Sequence, residues 1–237
     1  MELFYKNMGQ GEPLVVLHGL MGMLDNWQGP AKYLAEHFEV YIVDQRNHGH
    51  SPHSEEFSYY HMMEDLVEFL DEHNLHNAHL LGHSMGGKTV MKLAQNYPDF
   101  VNKLIVADIA PRKYEVHHQQ ILEGLFAVPL NEIQKRSEAD EILKQYIPEY
   151  GVRQFLLKNM YWKEKGQLAW RFNLPVINNT IEDIGEEIND ALYEGETLFI
   201  RGENSGYITD QDLDMIESYF PNSSIETIAN AGHWVHA

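Results

Sequence analysis

The chain has 237 residues, 43% apolar and 22% charged, the composition of one globular domain with room for an insertion, which excludes a disordered or collagen-like chain. Its 17 basic residues stand against 36 acidic ones, a net charge of −19, so neither nucleic acid nor an anionic membrane surface is an expected partner. It has no cysteine, which excludes disulfides, thiolate metal sites and a Cys nucleophile.

In chain order, Pro13–His18 reads as a buried strand ending at Gly19. Asn26–His37 has helical spacing through Trp27, Ala31, Leu34 and Ala35, and Glu39–Val43 is a second strand. Ser58–His73 carries Tyr59, Met62, Leu66, Phe69 and Leu70 on one stripe. The acids opposite (Glu64, Asp65, Glu68, Asp71 and Glu72) are read as a solvated face. Ala78–Leu81 is a strand, a helix follows through Val90, Leu93, Ala94 and Tyr97, and Lys103–Asp108 is another strand. Such alternation with short loops predicts a mostly parallel sheet covered on both faces. From about Pro111 to Asp190 no strong strand is read, only helical segments around Ile121–Phe126, Ile142–Tyr146 and Val152–Met160. The strand–helix rhythm resumes with Thr197–Ile200, Asp210–Phe220 and Ser224–Ile228. The expectation is an α/β core, residues 1–110 and 191–237, interrupted by a helical lid, residues 111–190.

No apolar run approaches the ~18 residues of a membrane span. The opening MELFYKNMGQGEP lacks the basic-then-apolar pattern of a signal peptide, so a cytoplasmic location is expected.

The sharpest motif is Gly82-His83-Ser84-Met85-Gly86-Gly87, between an apolar strand and a helix. A strand that turns at once into a helix crowds the positions two before and two after its apex, where only glycine fits. The apex serine is forced into a strained conformation that exposes its hydroxyl above a helix N-terminus. Ser84 is therefore the candidate nucleophile. It needs a base, and His233, in Ala231-Gly232-His233-Trp234 just past the last strand, fits the chain order of serine hydrolases on such sheets; His236 is its nearby competitor. An oxyanion needs two backbone N–H groups. Met85 should give one and Leu20, in His18-Gly19-Leu20-Met21-Gly22, the other, with Met21 second in line.

With these residues in place the chain resembles the α/β-hydrolase superfamily, and within it the YbfF-type bacterial esterases and their mammalian abhydrolase-domain relatives. The resemblance runs through His18-Gly19, Asp44–Pro52 (DQRNHGHSP), Gly82–Lys88 and Asp108–Pro111 (DIAP). It continues through Gln154–Lys158 (QFLLK), Trp170–Pro175 (WRFNLP) and Gly232–His236. It implies an eight-stranded-type core and hydrolysis of short- to medium-chain acyl esters, with acyl-CoA thioesters as a further class and no cofactor. Most members of the superfamily carry the triad acid in the turn after the strand at Thr197–Ile200, where this chain places Ser205. The resembled esterases shift it one strand earlier, which points to Asp108, with Ser205 and His83 supporting the histidine. Glu203, Asp210 and a water-mediated Ser205 remain alternatives. A helix ordinarily follows the catalytic histidine in this architecture, whereas this sequence stops four residues after His233, so the expectation is either a truncated chain or an absent closing helix.

Met21, Trp27, Trp170, Arg171 and Trp234 are the candidate substrate contacts. Asp44, Arg46, His48 and His50 have spacing that could suit zinc, but a structural loop is the favoured reading. Arg112–Arg171 holds ten of the 17 basic residues and eight acids, so the lid is slightly positive over an acidic core, which motivates the acyl-CoA expectation. Two rival readings are a C–C hydrolase or lyase on the same fold and a binding protein with a weakened triad. The sequence leaves oligomeric state open.

Overall fold

The computed structural model describes residues 1–115 and 118–236. The core elements come first along the chain: β1 (Tyr5–Gly9), β2 (Glu12–Leu17), α1 (Gln28–Leu34), β3 (Phe38–Val43), α2 (Tyr59–Glu72), β4 (Ala78–His83), α3 (Met85–Asn96) and β5 (Val101–Ala107). The intervening segment holds α4 (Gln119–Ala127), α5 (Arg136–Leu143), α6 (Tyr150–Leu157), β6 (Met160–Glu164), β7 (Gln167–Trp170) and α7 (Leu174–Asn179). The core then resumes with β8 (Thr197–Gly202), α8 (Leu213–Tyr219) and β9 (Ser223–Ile228).

Seven strands form one sheet in the order β1-β3-β2-β4-β5-β8-β9, and every pairing is parallel except β1 with β3. The described residues thus give seven strands where an eight-stranded core was expected. Alternate residues of β2 face opposite ways: Val15 and Leu17 join one apolar cluster, Leu14 and Val16 the other. That is why β2 reads as a continuous apolar run, since a strand covered on both faces has no polar side to show. β1 was missed for the converse reason: YKNMG is a largely exposed edge strand with no such run.

Two further readings need correcting. The interval read as wholly helical contains the β6–β7 hairpin, turning through Gly166 at φ +85°. Its outer residues Trp162, Lys163 and Glu164 are exposed, so little hydrophobic patterning marks it; the Lys-Gly pair between two aromatic-bearing runs was the available signal. The acid stripe of α2 is also not wholly solvated. Asp65 is 3% exposed and receives two hydrogen bonds from Arg46, Nε to Oδ2 at 2.6 Å and Nη2 to Oδ1 at 2.8 Å. A bidentate arginine offsets the desolvation that a lone buried carboxylate could not bear.

β5 and β8 are neighbours in the sheet. The loops that leave their C-terminal ends therefore open side by side, next to the β4–α3 turn that carries Ser84.

Candidate active site

Ser84 sits between the last residue of β4 and the first of α3, at φ 53° and ψ −117°. For a non-glycine residue this is strained backbone, and the surroundings enforce it. A Cβ at Gly82 would lie 2.1 Å from Gly86 O, and one at Gly86 would lie 2.6 Å from His18 O. The glycines are what allow the turn. Met21 (φ 57°) and Asp108 (φ 52°) are also left-handed, so three of the strained non-glycine residues meet at one edge of the sheet.

Asp108 is fully buried, yet its carboxylate has three donors. Oδ1 accepts from Gly202 N–H at 3.0 Å; Oδ2 accepts from the Ser205 hydroxyl and lies 2.8 Å from His233 Nδ1. A bare buried carboxylate would cost several kcal/mol, and three hydrogen bonds are what make its charge tenable. Asp108 thus joins His233 directly, while Ser205, in the turn where an acid was first sought, bonds the acid and not the histidine. With its Nδ1–H directed at Asp108, the neutral His233 ring keeps Nε2 as an acceptor. The Ser84 hydroxyl makes no hydrogen bond to His233, although both line the same cavity.

Two contacts steady His233. His83 Nε2 donates to the His233 carbonyl at 2.8 Å, and burial holds the His83 pKa well below the usual imidazole value, so it serves as a neutral donor. Tyr207 stacks on the His233 ring, 3.9 Å between centroids and 22° between planes. The sequence reading did not find Tyr207; its position two residues beyond Ser205 was the only hint. Glu203 and Asp210, the other acids considered, bond elsewhere, to Asn230 N–H and Arg201. His236 stacks on Trp27, with centroids 4.2 Å apart.

The Asp44–Pro52 loop is tied down by its buried polar side chains. Asp44 accepts from Leu24 N–H at 2.6 Å and His50 N–H at 2.8 Å. His48 Nδ1 donates to Arg46 O at 2.9 Å, and its Nε2 accepts Met21 N–H at 3.0 Å. Burial lowers the His48 pKa to about 3, which keeps Nε2 free to accept. His18 repeats the device: Nδ1 lies 2.8 Å from Gly19 O and Nε2 accepts Gln45 N–H at 3.0 Å, again with the pKa lowered by burial. The loop therefore braces residues 18–22 and occupies the Met21 amide. Among the described residues no acceptor bonds the Leu20 amide, and Met85 N–H is the first orphan donor of α3.

The cavity over Ser84 has a volume of about 350 Å³, enough for a small molecule with one apolar arm. Leu20, Met21, Trp27, Met85 and Trp234 line it from the core; Ile121, Val152, Phe155, Leu156 and Ile181 line it from the intervening segment. Trp170 and Arg171 do not line it, which corrects that expectation. Trp170 stacks on Phe172 at 5.6 Å, and the Arg171 guanidinium lies over Tyr161 at 4.3 Å. Their stretch instead ties the segment to the core: Asn173 N–H donates to Asn47 O at 2.9 Å. Nearby, Asn159 Nδ2 donates to Met21 O at 2.8 Å. Among the described residues no lysine or arginine lines the cavity, and Glu115 is the carboxylate that does. Arg112 pairs with Asp212 and Arg153 with Asp140, each at 2.7 Å.

Comparison with known proteins agrees with this architecture. A model of the alpha/beta hydrolase fold family matches residues 12–141. The chain belongs to that family, and it is a hydrolase. It is 41% identical to a putative esterase/lipase of Haemophilus influenzae, over 94% of this chain and 77% of the relative. It is 40% identical to esterase YbfF of Escherichia coli, over 98% of this chain and 90% of the relative. An sn-1-specific diacylglycerol lipase, ABHD11 of Danio rerio, is 38% identical over 98% of this chain and 76% of the relative. Among solved structures, a marine microorganism esterase superimposes with a TM-score of 0.97 at 44% identity, covering 99% of this chain and 94% of that one.

Proposed function

We propose that this protein is a serine carboxylesterase acting on uncharged short- to medium-chain acyl esters. The observation that carries the reading is the Asp108–His233 hydrogen bond beside a strained Ser84 at the floor of an apolar cavity. In the mechanism, Ser84 Oγ attacks the ester carbonyl while His233 Nε2 takes its proton. The Leu20 and Met85 amides hold the oxyanion, and the α3 N-terminus favours the same charge. His233, now an imidazolium stabilised by Asp108, returns the proton to the departing alkoxide. Water, activated by His233, then hydrolyses the acyl-enzyme.

The segment at 111–190 acts as a lid in this reading. Its Ile121, Val152 and Phe155 side chains would cover the acyl chain and exclude water. Its basic residues support acyl-CoA poorly, because among the described residues no lysine or arginine lines the cavity, and Arg112 and Arg153 are paired with acids. The test is labelling with a fluorophosphonate beside a Ser84→Ala control, followed by nitrophenyl esters of graded length. Labelling confined to Ser84, with ester turnover that is insensitive to salt, is the expected result. An unlabelled wild-type protein would overturn the reading.

A further inference from the structure

Lys88 lies on α3, four residues after Ser84, and is only 1% exposed. A lysine there is costly, because taking an ammonium out of water loses several kcal/mol unless its donors are met. Burial accordingly pulls its pKa down to about 7. A filler of the same length would be a methionine, so the ammonium calls for an account that packing does not give.

Its three donors meet three backbone carbonyls: Arg112 O at 2.9 Å, Gly185 O at 3.3 Å and Glu186 O. Arg112 lies on the strand of chain by which the inserted segment leaves the core; Gly185 and Glu186 lie on the one by which it returns. The two strands also bond each other, Tyr114 N–H to Gly185 O at 2.8 Å and Ile188 N–H to Pro111 O at 2.7 Å. They approach so closely that a Cβ at Gly185 would sit 2.3 Å from Tyr114 O. The rings of Tyr114 and Tyr59 flank the ammonium at 4.8 and 5.7 Å, and Tyr59 OH donates to Ile184 O at 2.8 Å. One and two turns further along α3, Lys92 pairs with Asp190 at 2.6 Å and Gln95 Oε1 accepts Asp190 N–H at 3.1 Å. One stripe of the helix that begins at the nucleophile therefore grips the neck of the insertion.

We propose that Lys88 is a positioning residue: by clamping both strands of the neck to α3, it fixes the inserted wall of the cavity relative to Ser84 and so sets the acyl-chain preference. The inference rests on the esterase reading above. Chemistry at Ser84 needs only the core, whereas a long acyl chain also needs Ile121, Val152 and Phe155 in place. Releasing the neck should therefore harm long esters and spare short ones.

The experiment compares acetyl and octanoyl nitrophenyl esters in wild type, Lys88→Met and Gly185→Ala, with amide hydrogen exchange on the same samples. Lys88→Met leaves the Arg112 and Glu186 carbonyls without a donor and Gly185 O with Tyr114 N–H alone, so kcat/KM for the octanoyl ester should fall about tenfold through KM while the acetyl ester stays within about threefold. Exchange at the Tyr114 and Ile188 amides should quicken while that of β4 and β5 does not. Gly185→Ala forces the neck apart at Tyr114 O while keeping the Lys88 side chain, and should give the same signature, which serves if Lys88→Met does not fold. A proportional loss on both esters, or unaltered neck exchange in a folded variant, overturns the clamp. Absence of ester turnover in the wild type would instead sink the esterase reading, and the exchange data would still report on the neck.

Discussion

The two walls of the cavity are backed by opposite materials. Behind the core lining of Leu20, Met21, Trp27, Met85 and Trp234 lies a polar, hydrogen-bonded layer: His18, His48, His83 and Asp108 are all buried with partners, and Met21, Ser84 and Asp108 are left-handed. The inserted wall is aliphatic and aromatic, with α4 and α6 placing Ile121, Val152 and Phe155 against the open space. A polar network holds atoms to fixed directions because each lost bond leaves a buried group unpaired. An apolar wall has no such directionality and adapts to what it covers. In our account the first wall does the chemistry and the second selects the acyl chain.

That division can be broken in several places. Asp108→Asn should lower kcat by about 10⁴, as an acid-to-amide change does in a triad, because the imidazolium loses its counter-charge. Ser205→Ala should cost about tenfold, since it removes one of three donors to Asp108. Comparable losses in the two variants, or an Asp108→Asn enzyme with more than about a tenth of wild-type kcat, would reassign the acid. Gly82→Ala should cost about a hundredfold, because a methyl pressed on Gly86 O displaces the nucleophile by a fraction of an ångström or more. Tyr207→Leu should lower kcat about tenfold with KM little changed, and Tyr207→Phe should restore it, because the stacked ring face stabilises the imidazolium. On the other wall, Phe155→Ala should raise KM for long acyl esters about fivefold and leave acetyl esters near wild type. Steady-state kinetics on purified variants reads all of these, and an equal effect on kcat from both walls would erase the distinction.

The broadest effect is on stability. His18, His48 and His83 have folded pKa values lowered by burial, His48 from 6.5 to about 3. Below pH ~6.5 the unfolded chain binds protons that the folded chain refuses. Their contribution is therefore present above pH ~6.5 and is lost as pH falls toward the folded values, at about 1.4 kcal/mol for each unit of depression. Urea unfolding at pH 7 and at about pH 4.5 should show a clear fall in midpoint; an unchanged midpoint would mean that these rings charge in place.

The elements most legible in the sequence were those with a single physical cause. The glycines at 82 and 86 are demanded by sterics, and the apolar runs of β2, β4 and β5 by burial on both faces. What stayed hidden depended on contacts between distant segments. Trp170 and Arg171 belong to a recognisable stretch, but whether such a stretch faces a cavity or braces a loop depends on the β6–β7 hairpin, whose strands are short and whose first is mostly exposed. Tyr207 stacks on a residue 26 positions away, and no local pattern encodes such a stack. The basic excess of residues 112–171 is legible in the sequence, but the pairing of Arg153 with Asp140 and of Arg112 with Asp212 is not. Asp65 shows the same lesson on a smaller scale, since an acid on a polar stripe became the anchor of Arg46.

The central claim is covalent attack by Ser84, and acid-quenched mass spectrometry during turnover of a nitrophenyl butyrate ester tests it most directly. The account predicts a rapid burst of nitrophenol and a butyryl group on the peptide bearing Ser84, absent from Ser84→Ala. Steady turnover with neither burst nor a Ser84 adduct, persisting in Ser84→Ala, would contradict it.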